Sequence, residues 1–360
     1  MKYYCLISYI IAFIFLGFSC NSVKNGEIAI NDLNDSLIFE IIDHKEPVIN
    51  RGDPGTEENR FGFEGGTVIK IDGMYQMFTA EMVDIPRNSK MKLAHWQSSE
   101  GIQWKRVSTL FESSGDYTGT DPRAAFWSPM PFYNEEEGRW NLFYVSYKCM
   151  PNTDKVFLVN HEGRIWRAVS ETLGKKGYGG PYKDADLVLE PGPESDIWEG
   201  LQGCDSYYVY EANKRFYAFF GTAKNINSQR NFWGVGLASA PKMAGPWKRC
   251  SELNPVNGQE RFVENPIVTN LDDGTYLAIF DSGGYGDGSL GYMLSKDGIH
   301  WAKPHYVKFQ PAIKKWWETT RTPLCLIKEA DGTYKTFYTA FTGSNYASVG
   351  MVRFRISNAN

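Results

Sequence analysis

Glu64-Gly65-Gly66-Thr67-Val68-Ile69-Lys70, then Asp72-Gly73, then Met74-Tyr75-Gln76-Met77-Phe78, reads as a β-hairpin. An apolar run opens at a polar residue, a turn dipeptide supplies a glycine that tolerates positive φ, and an aromatic-rich run follows. The same order returns four times. The second copy is Ser128-Pro129-Met130-Pro131-Phe132-Tyr133, Glu137-Gly138, then Arg139-Trp140-Asn141-Leu142-Phe143-Tyr144. The third runs from Asp205 through Asn213 to Phe220, the fourth from Glu264-Asn265-Pro266 through Asp273-Gly274 to Phe280, and the fifth from Arg321 through Asp331-Gly332 to Tyr338. Five hairpins at a spacing of about 55 to 75 residues mean an array of like units.

A third strand follows the hairpins, often with a turn that ends in Trp. Lys92 to Ser98 leads to Ser99-Glu100-Gly101-Ile102-Gln103-Trp104, Leu290 to Ser295 leads to Lys296-Asp297-Gly298-Ile299-His300-Trp301, and Gly234 to Ser239 precedes Gly245-Pro246-Trp247. Arg164 to Ser170 is a further third strand. Three or four strands per unit make a blade that cannot bury both faces alone, whereas a ring of blades covers them and leaves short, protected edges. The expected fold is all-β, a five-bladed β-propeller over residues 51–358; a series of β-sandwich domains is the alternative.

The bulk composition agrees. The chain of 360 residues is 42% hydrophobic and 15% aromatic with 35 glycines, which favours strands and turns over helices and disorder. Its 38 basic and 42 acidic residues are interspersed, so no basic tract exists to neutralise phosphates and nucleic acid is excluded as an expected partner. Cys149, Cys204, Cys250 and Cys325 include no CxxC pair and the five histidines have no metal-ligand spacing, so isolated buried thiols and no cofactor or metal are expected.

Residues 1–20 are a separate object. Met1-Lys2 precedes the apolar run Tyr3 to Phe18, which stops at Ser19-Cys20, as in an export signal. Leu16-Gly17-Phe18-Ser19-Cys20 resembles the lipobox of bacterial lipoproteins, which implies lipidation of Cys20 and location in the periplasm or at the cell surface. A plain secreted protein and a retained anchor are the alternatives. Residues 21–50 read as an N-terminal extension.

In a propeller the first strands line the axis, and their openings share one mouth. These openings are Glu64, Ser128, Asp205, Glu264 and Arg321. Three carboxylates and a guanidinium around one axis are expensive to bury unless paired or used. A group of acids in a cleft suits glycoside hydrolysis, which needs one protonated carboxyl for the leaving oxygen and one ionised carboxyl to activate water or attack carbon. Acids at strand starts are also ordinary turn residues. Glu199, in Ile197-Trp198-Glu199-Gly200, is a reserve acid. Arg321 is either a clamp for a substrate carboxylate or sulfate or a partner of the acids, and Trp127 and Trp198 either stack on sugar or pack.

The five-blade layout, the Trp127-Ser128-Pro129, Asp205 and Glu264-Asn265-Pro266 openings and the Asp-Gly-x-x-Trp turn resemble the five-bladed propeller glycosidases, which include glycoside hydrolase families 43, 32 and 117. The resemblance covers most of Phe61 to Phe354. It implies Glu264 as general acid, Asp205 as the acid that modulates its pKa, Glu64 as base or nucleophile, and an oligosaccharide or polysaccharide substrate of plant or algal origin. The blade-one Asp-Pro of family 43 is replaced here by Phe63-Glu64-Gly65-Gly66, and Asp121-Pro122 lies ahead of blade two, which points to a more distant branch. Two other readings stay open: a lyase or dehydratase acting on a uronic acid through Arg321, Arg123 and His95, and a sugar-binding propeller without turnover.

Overall fold

Each repeated hairpin forms an antiparallel strand pair within a sheet, and five such sheets, four of four strands and one of six, make a five-bladed β-propeller. The computed structural model describes residues 37–153, 159–200, 202–226, 229–256, 262–283, 290–343 and 345–358. Residues 1–36, with Cys20 and the expected export signal, lie outside the described residues.

Strand β1 (Leu37–Ile49) comes first in the chain but belongs to the last sheet. Blade one is β2 (Phe63–Ile71), β3 (Met74–Met82), β4 (Met91–Ser98) and β5 (Lys105–Glu112). Blade two is β6 (Ala125–Asn134), β7 (Arg139–Cys149), β8 (Asn160–Leu173) and β9 (Tyr182–Leu189). Blade three follows with β10 (Tyr207–Ala212), β11 (Arg215–Ile226), β12 (Gln229–Ala240) and β13 (Lys248–Arg249). β14 (Glu264–Asn270), β15 (Tyr276–Asp281), β16 (Leu290–Ser295) and β17 (His305–Tyr306) form blade four. Blade five takes β18 (Phe309–Gln310), β19 (Thr319–Pro323), β20 (Ile327–Lys328), β21 (Tyr334–Thr342) and β22 (Tyr346–Asn358), and adds β1.

The ring closes in blade five. β1 runs antiparallel to β22, with Phe39 opposite Ile356 and Lys45 opposite Met351, so both described ends of the chain are held in one sheet. This corrects the reading of residues 21–50 as an extension: from Leu37 onward the segment is propeller. Its alternation is diluted because β1 buries Leu37, Phe39 and Ile49 but leaves much of its length half-exposed.

The Trp-ended turns hold the blades together. In blade four, Gly298 N donates to Ser295 Oγ at 2.9 Å, and the Ile299 and His300 amides donate to Asp297 Oδ1 at 2.8 Å. That turn delivers Trp301 to Phe219 of blade three, 5.2 Å between ring centroids. The blade-one turn delivers Trp104 to Phe337 of blade five at 5.2 Å, and Trp247 of blade three meets Phe143 of blade two at 6.1 Å. Each ring thus packs against the preceding blade, and such aromatic pairs contribute about 0.5–1.5 kcal/mol beyond the area they bury. Cys149, Cys204 and Cys325 are buried and Cys250 half-buried, none in a disulfide.

Candidate active site

The first strands share a local device where they open. The β2–β3 register slips between Glu64 and Gly66, β6–β7 between Trp127 and Met130, β14–β15 between Glu264 and Ile267, and β19–β21 between Thr320 and Pro323. Gly65, Ser128 and Asn265 take φ of 69°, 51° and 52° at these slips. In two of the four a proline, Pro129 or Pro266, stands where the ladder skips and needs no N–H donor, and in blade five Pro323 is where pairing resumes, opposite Tyr338. A bulge re-aims the side chains beside it, here toward the mouth. Blade one uses Gly66 instead of proline: a Cβ there would sit 2.1 Å from Phe78 O.

The openings surround a cleft of about 480 Å³ lined by Glu64, Trp127, Ser128, Asp205, Glu264 and Arg321, among others. That volume lies within the roughly 300–1,000 Å³ usual for small-molecule sites. Arg321 is the hub. Its Nε lies 3.2 Å from Glu64 Oε1, its Nη2 3.6 Å from Glu264 Oε2, and its Nη1 3.7 Å from Asp281 Oδ2. A hydroxyl relay crosses three blades: Asn265 Nδ2 donates to Thr322 Oγ1 at 3.0 Å, and Thr322 Oγ1 donates to Glu64 Oε1 at 3.1 Å. Asp205 Oδ1 accepts from Tyr147 Oη at 2.7 Å and from Gln202 Nε2 at 2.9 Å.

Four acids around one guanidinium leave negative charge uncompensated, and burial makes that charge costly. Burial drives the Glu264 carboxyl well above its ordinary range, Asp205 and Asp281 push it further, and Arg321 opposes them. Asp205 is raised as well, by burial, against the hydrogen bond from Tyr147. Burial pushes Asp281 up to about 6, with Arg321 again opposing. Asp205 Oδ2 and Glu264 Oε2 are buried, and neither makes a hydrogen bond of ordinary geometry, although each carboxyl perturbs the other. The guanidinium of Arg321 is held charged, foremost by Glu64. The site therefore holds a carboxyl that burial and neighbouring acids bias toward its protonated form at the wall of a cleft, the bias that acid catalysis at a leaving oxygen requires.

Of the residues singled out in the sequence, Glu64, Asp205, Glu264, Arg321 and Trp127 are brought together. Glu199 and Trp198 are not. Glu199 Oε1 lies 2.5 Å from Arg249 Nε and its Oε2 3.0 Å from Nη2, a buried ion pair away from the cleft. Trp198 donates to Asp196 Oδ2 at 3.1 Å and packs on Phe220. Both are corrections: preceding blade three in sequence put them near the mouth, but their partners lie inside the blade. Arg60 pairs with Asp84, leaving Glu64 to Arg321. Arg321 is engaged by acids on three sides, so the clamp reading gives way to the partner reading.

His95 is buried, bonded to Gln76 at 2.8 Å and stacked on Phe78, and burial lowers it to about 4. Arg123 pairs with Asp184. Neither lines the cleft, so of the three residues named for a proton-abstracting lyase only Arg321 is there. Asp281, Tyr147, Gln202 and Arg87 went unnoticed in the sequence. An antiparallel second strand returns to the mouth its neighbour opened, so its last residues belong to the site; Glu264 faces Asp281 in the β14–β15 ladder. Among the described residues, no group of three or more His, Cys, Asp or Glu side chains is arranged to hold a metal ion.

No family model and no curated protein matches this sequence. Solved structures do match. A protein solved as an RGII complex superposes with a TM-score of 0.63 at 16% identity, over 82% of this protein and 88% of the other. Zg3597, a family 117 glycoside hydrolase produced by the marine bacterium Zobellia galactanivorans, gives 0.58 at 11% identity, over 89% and 90%. The GH43_1 enzyme from Xanthomonas citri, solved in complex with xylotriose and with xylose, gives 0.55 at 13% identity, over 86% and 89%. The protein is thus structurally similar to five-bladed propeller glycoside hydrolases of families 43 and 117, at low identity.

Proposed function

We propose that this protein is a glycoside hydrolase acting on an oligosaccharide derived from a plant or algal polysaccharide. The observation that carries the reading is convergence: Glu64, Asp205 and Glu264, from three different blades, line one cleft, with Glu264 pushed strongly toward its protonated form. Glu264 donates its proton to the departing glycosidic oxygen. Asp205, positioned by Tyr147 and Gln202, keeps negative charge beside Glu264 and so sustains its high proton affinity. Glu64, oriented by Arg321 and Thr322, activates water or attacks the anomeric carbon. Trp127 supplies an apolar wall on which a sugar ring can stack.

The likeness to family 43 and 117 enzymes supports the hydrolytic class, since those folds carry glycosidases. The test is incubation of the purified propeller with a panel of plant and algal oligosaccharides. Hydrolysis produces a new reducing end; an unsaturated uronate absorbing in the ultraviolet, or no product from any sugar that binds, would contradict the proposal. We further infer export and lipidation at Cys20, which would hold the enzyme at a membrane facing its polymeric substrate.

A further inference from the structure

We propose that the cleft selects a saccharide bearing an anionic substituent, a carboxylate or a sulfate, and that Arg87 grips that group. The inference deepens the hydrolase reading by naming the substrate class, and rests on it for what becomes of the bound sugar. Arg87 sits in the β3–β4 loop and lines the same cleft as the three acids. Unlike Arg321, it has no acid within 4.0 Å and makes no hydrogen bond among the described residues, although its Nε is buried. Its guanidinium carbon lies 4.8 Å from the ring centroid of Phe341 and 5.7 Å from that of Phe61, so aromatic faces fix its plane without using its donors.

The loop that carries it is tied down. Val83 N donates to Lys90 O at 3.0 Å, Ser89 N to Pro86 O at 3.1 Å and Ser89 Oγ to Asp116 O at 2.9 Å, while Asn160 Nδ2 donates to Asn88 O at 2.8 Å. A rigidly held, partly desolvated planar cation whose donors are unused is built for two parallel hydrogen bonds to a carboxylate or sulfate. A neutral sugar leaves those donors empty. Burial already weakens the proton affinity of Arg87, as does Arg321, with Glu64 opposing, so an entering anion relieves a strained charge.

The test measures binding in the Glu264→Gln protein, so it does not depend on turnover. Oligogalacturonides are compared with their carboxyl-reduced forms, and sulfated galactan oligosaccharides with their desulfated forms, by calorimetry at low and moderate salt. The expected result is that one anionic set binds roughly tenfold or more tightly than its neutral counterpart. The preferred set tells carboxylate from sulfate. Arg87→Met, which keeps the stem against Phe341 and Phe61, should erase the difference, and Arg87→Lys should keep part of it. Equal binding of charged and neutral partners, no binding of either anionic set, or a preference that survives Arg87→Met would overturn the inference. Hydrolysis of neutral sugars by the unmodified enzyme would leave the hydrolase reading standing while this one fell.

Discussion

Glu264 and Asp281 face each other across the β14–β15 ladder, two buried carboxyls in direct register. Like charges directly opposite on neighbouring strands destabilise a sheet, so this pair favours a state with at least one proton. Arg321 reaches both, at 3.6 Å and 3.7 Å, and offsets only part of the repulsion. Burial is the first cause of the high proton affinity of Glu264, and the acid that the hairpin puts opposite it raises it further.

The pH dependence follows from those directions. In the proposed mechanism activity needs protonated Glu264, so kcat should fall as pH rises through its raised pKa. Asp281→Asn removes one of the charges that lift it, and should move the alkaline limb of the kcat profile to lower pH. An unmoved limb would show that Asp281 does not act on Glu264.

Asp281 also links pH to stability. Its folded pKa, about 6, lies above its ordinary 3.8, so its stabilising contribution is full below about pH 4 and is lost as pH rises toward and through 6. Asparagine cannot titrate but can still accept the bond that Gly283 N makes to Asp281 Oδ1 at 2.8 Å. Thermal unfolding of Asp281→Asn should therefore show a shallower decline of Tm between about pH 4 and 6 than the parent.

The fold was legible in the sequence because each hairpin carries its own turn signal, at Asp72-Gly73, Asp273-Gly274 and Asp331-Gly332, and because the aromatic runs are unmistakably strands. The closing strand β1 was not, since an outer strand with half-exposed residues lacks a clean alternation. Three site acids were legible as strand openings. Asp281 and Tyr147 were hidden at the far ends of second strands, where only the ladder register reveals that they return to the mouth. Glu199 misled for the opposite reason: nearness in sequence to the opening of blade three said nothing of Arg249, fifty residues on, which claims it.

Glu199→Gln separates structure from catalysis. Breaking a buried ion pair by removing one partner costs about 3–5 kcal/mol, so the variant should lose many degrees of Tm. At a temperature where it remains folded, kcat/KM should change far less than on loss of any cleft acid. A large kcat defect in folded protein would return Glu199 to the site.

Gly66→Ala tests the blade-one bulge. At φ of 129° and with Phe78 O only 2.1 Å from a Cβ, the strand must shift, at about 1–3 kcal/mol or more, and Glu64 shifts with it. Lower stability and lower activity should appear together; a variant with parental Tm and kcat would mean that the bulge does not aim Glu64.

Cys20→Ser should abolish incorporation of a fatty-acid label and release the protein from the membrane fraction. Labelling that persists in the variant would contradict lipidation at that residue.

The most direct measurement is the kcat of Glu264→Gln on the natural oligosaccharide and on aryl glycosides of the same sugar with graded leaving groups. A general acid contributes about 10²–10⁴-fold where the leaving oxygen needs a proton and little where it does not. The natural substrate should therefore suffer a loss in that range, and the loss should shrink steadily as the leaving group becomes more acidic. Unchanged hydrolysis of the natural substrate, or an equal loss across the whole series, would contradict Glu264 as the proton donor.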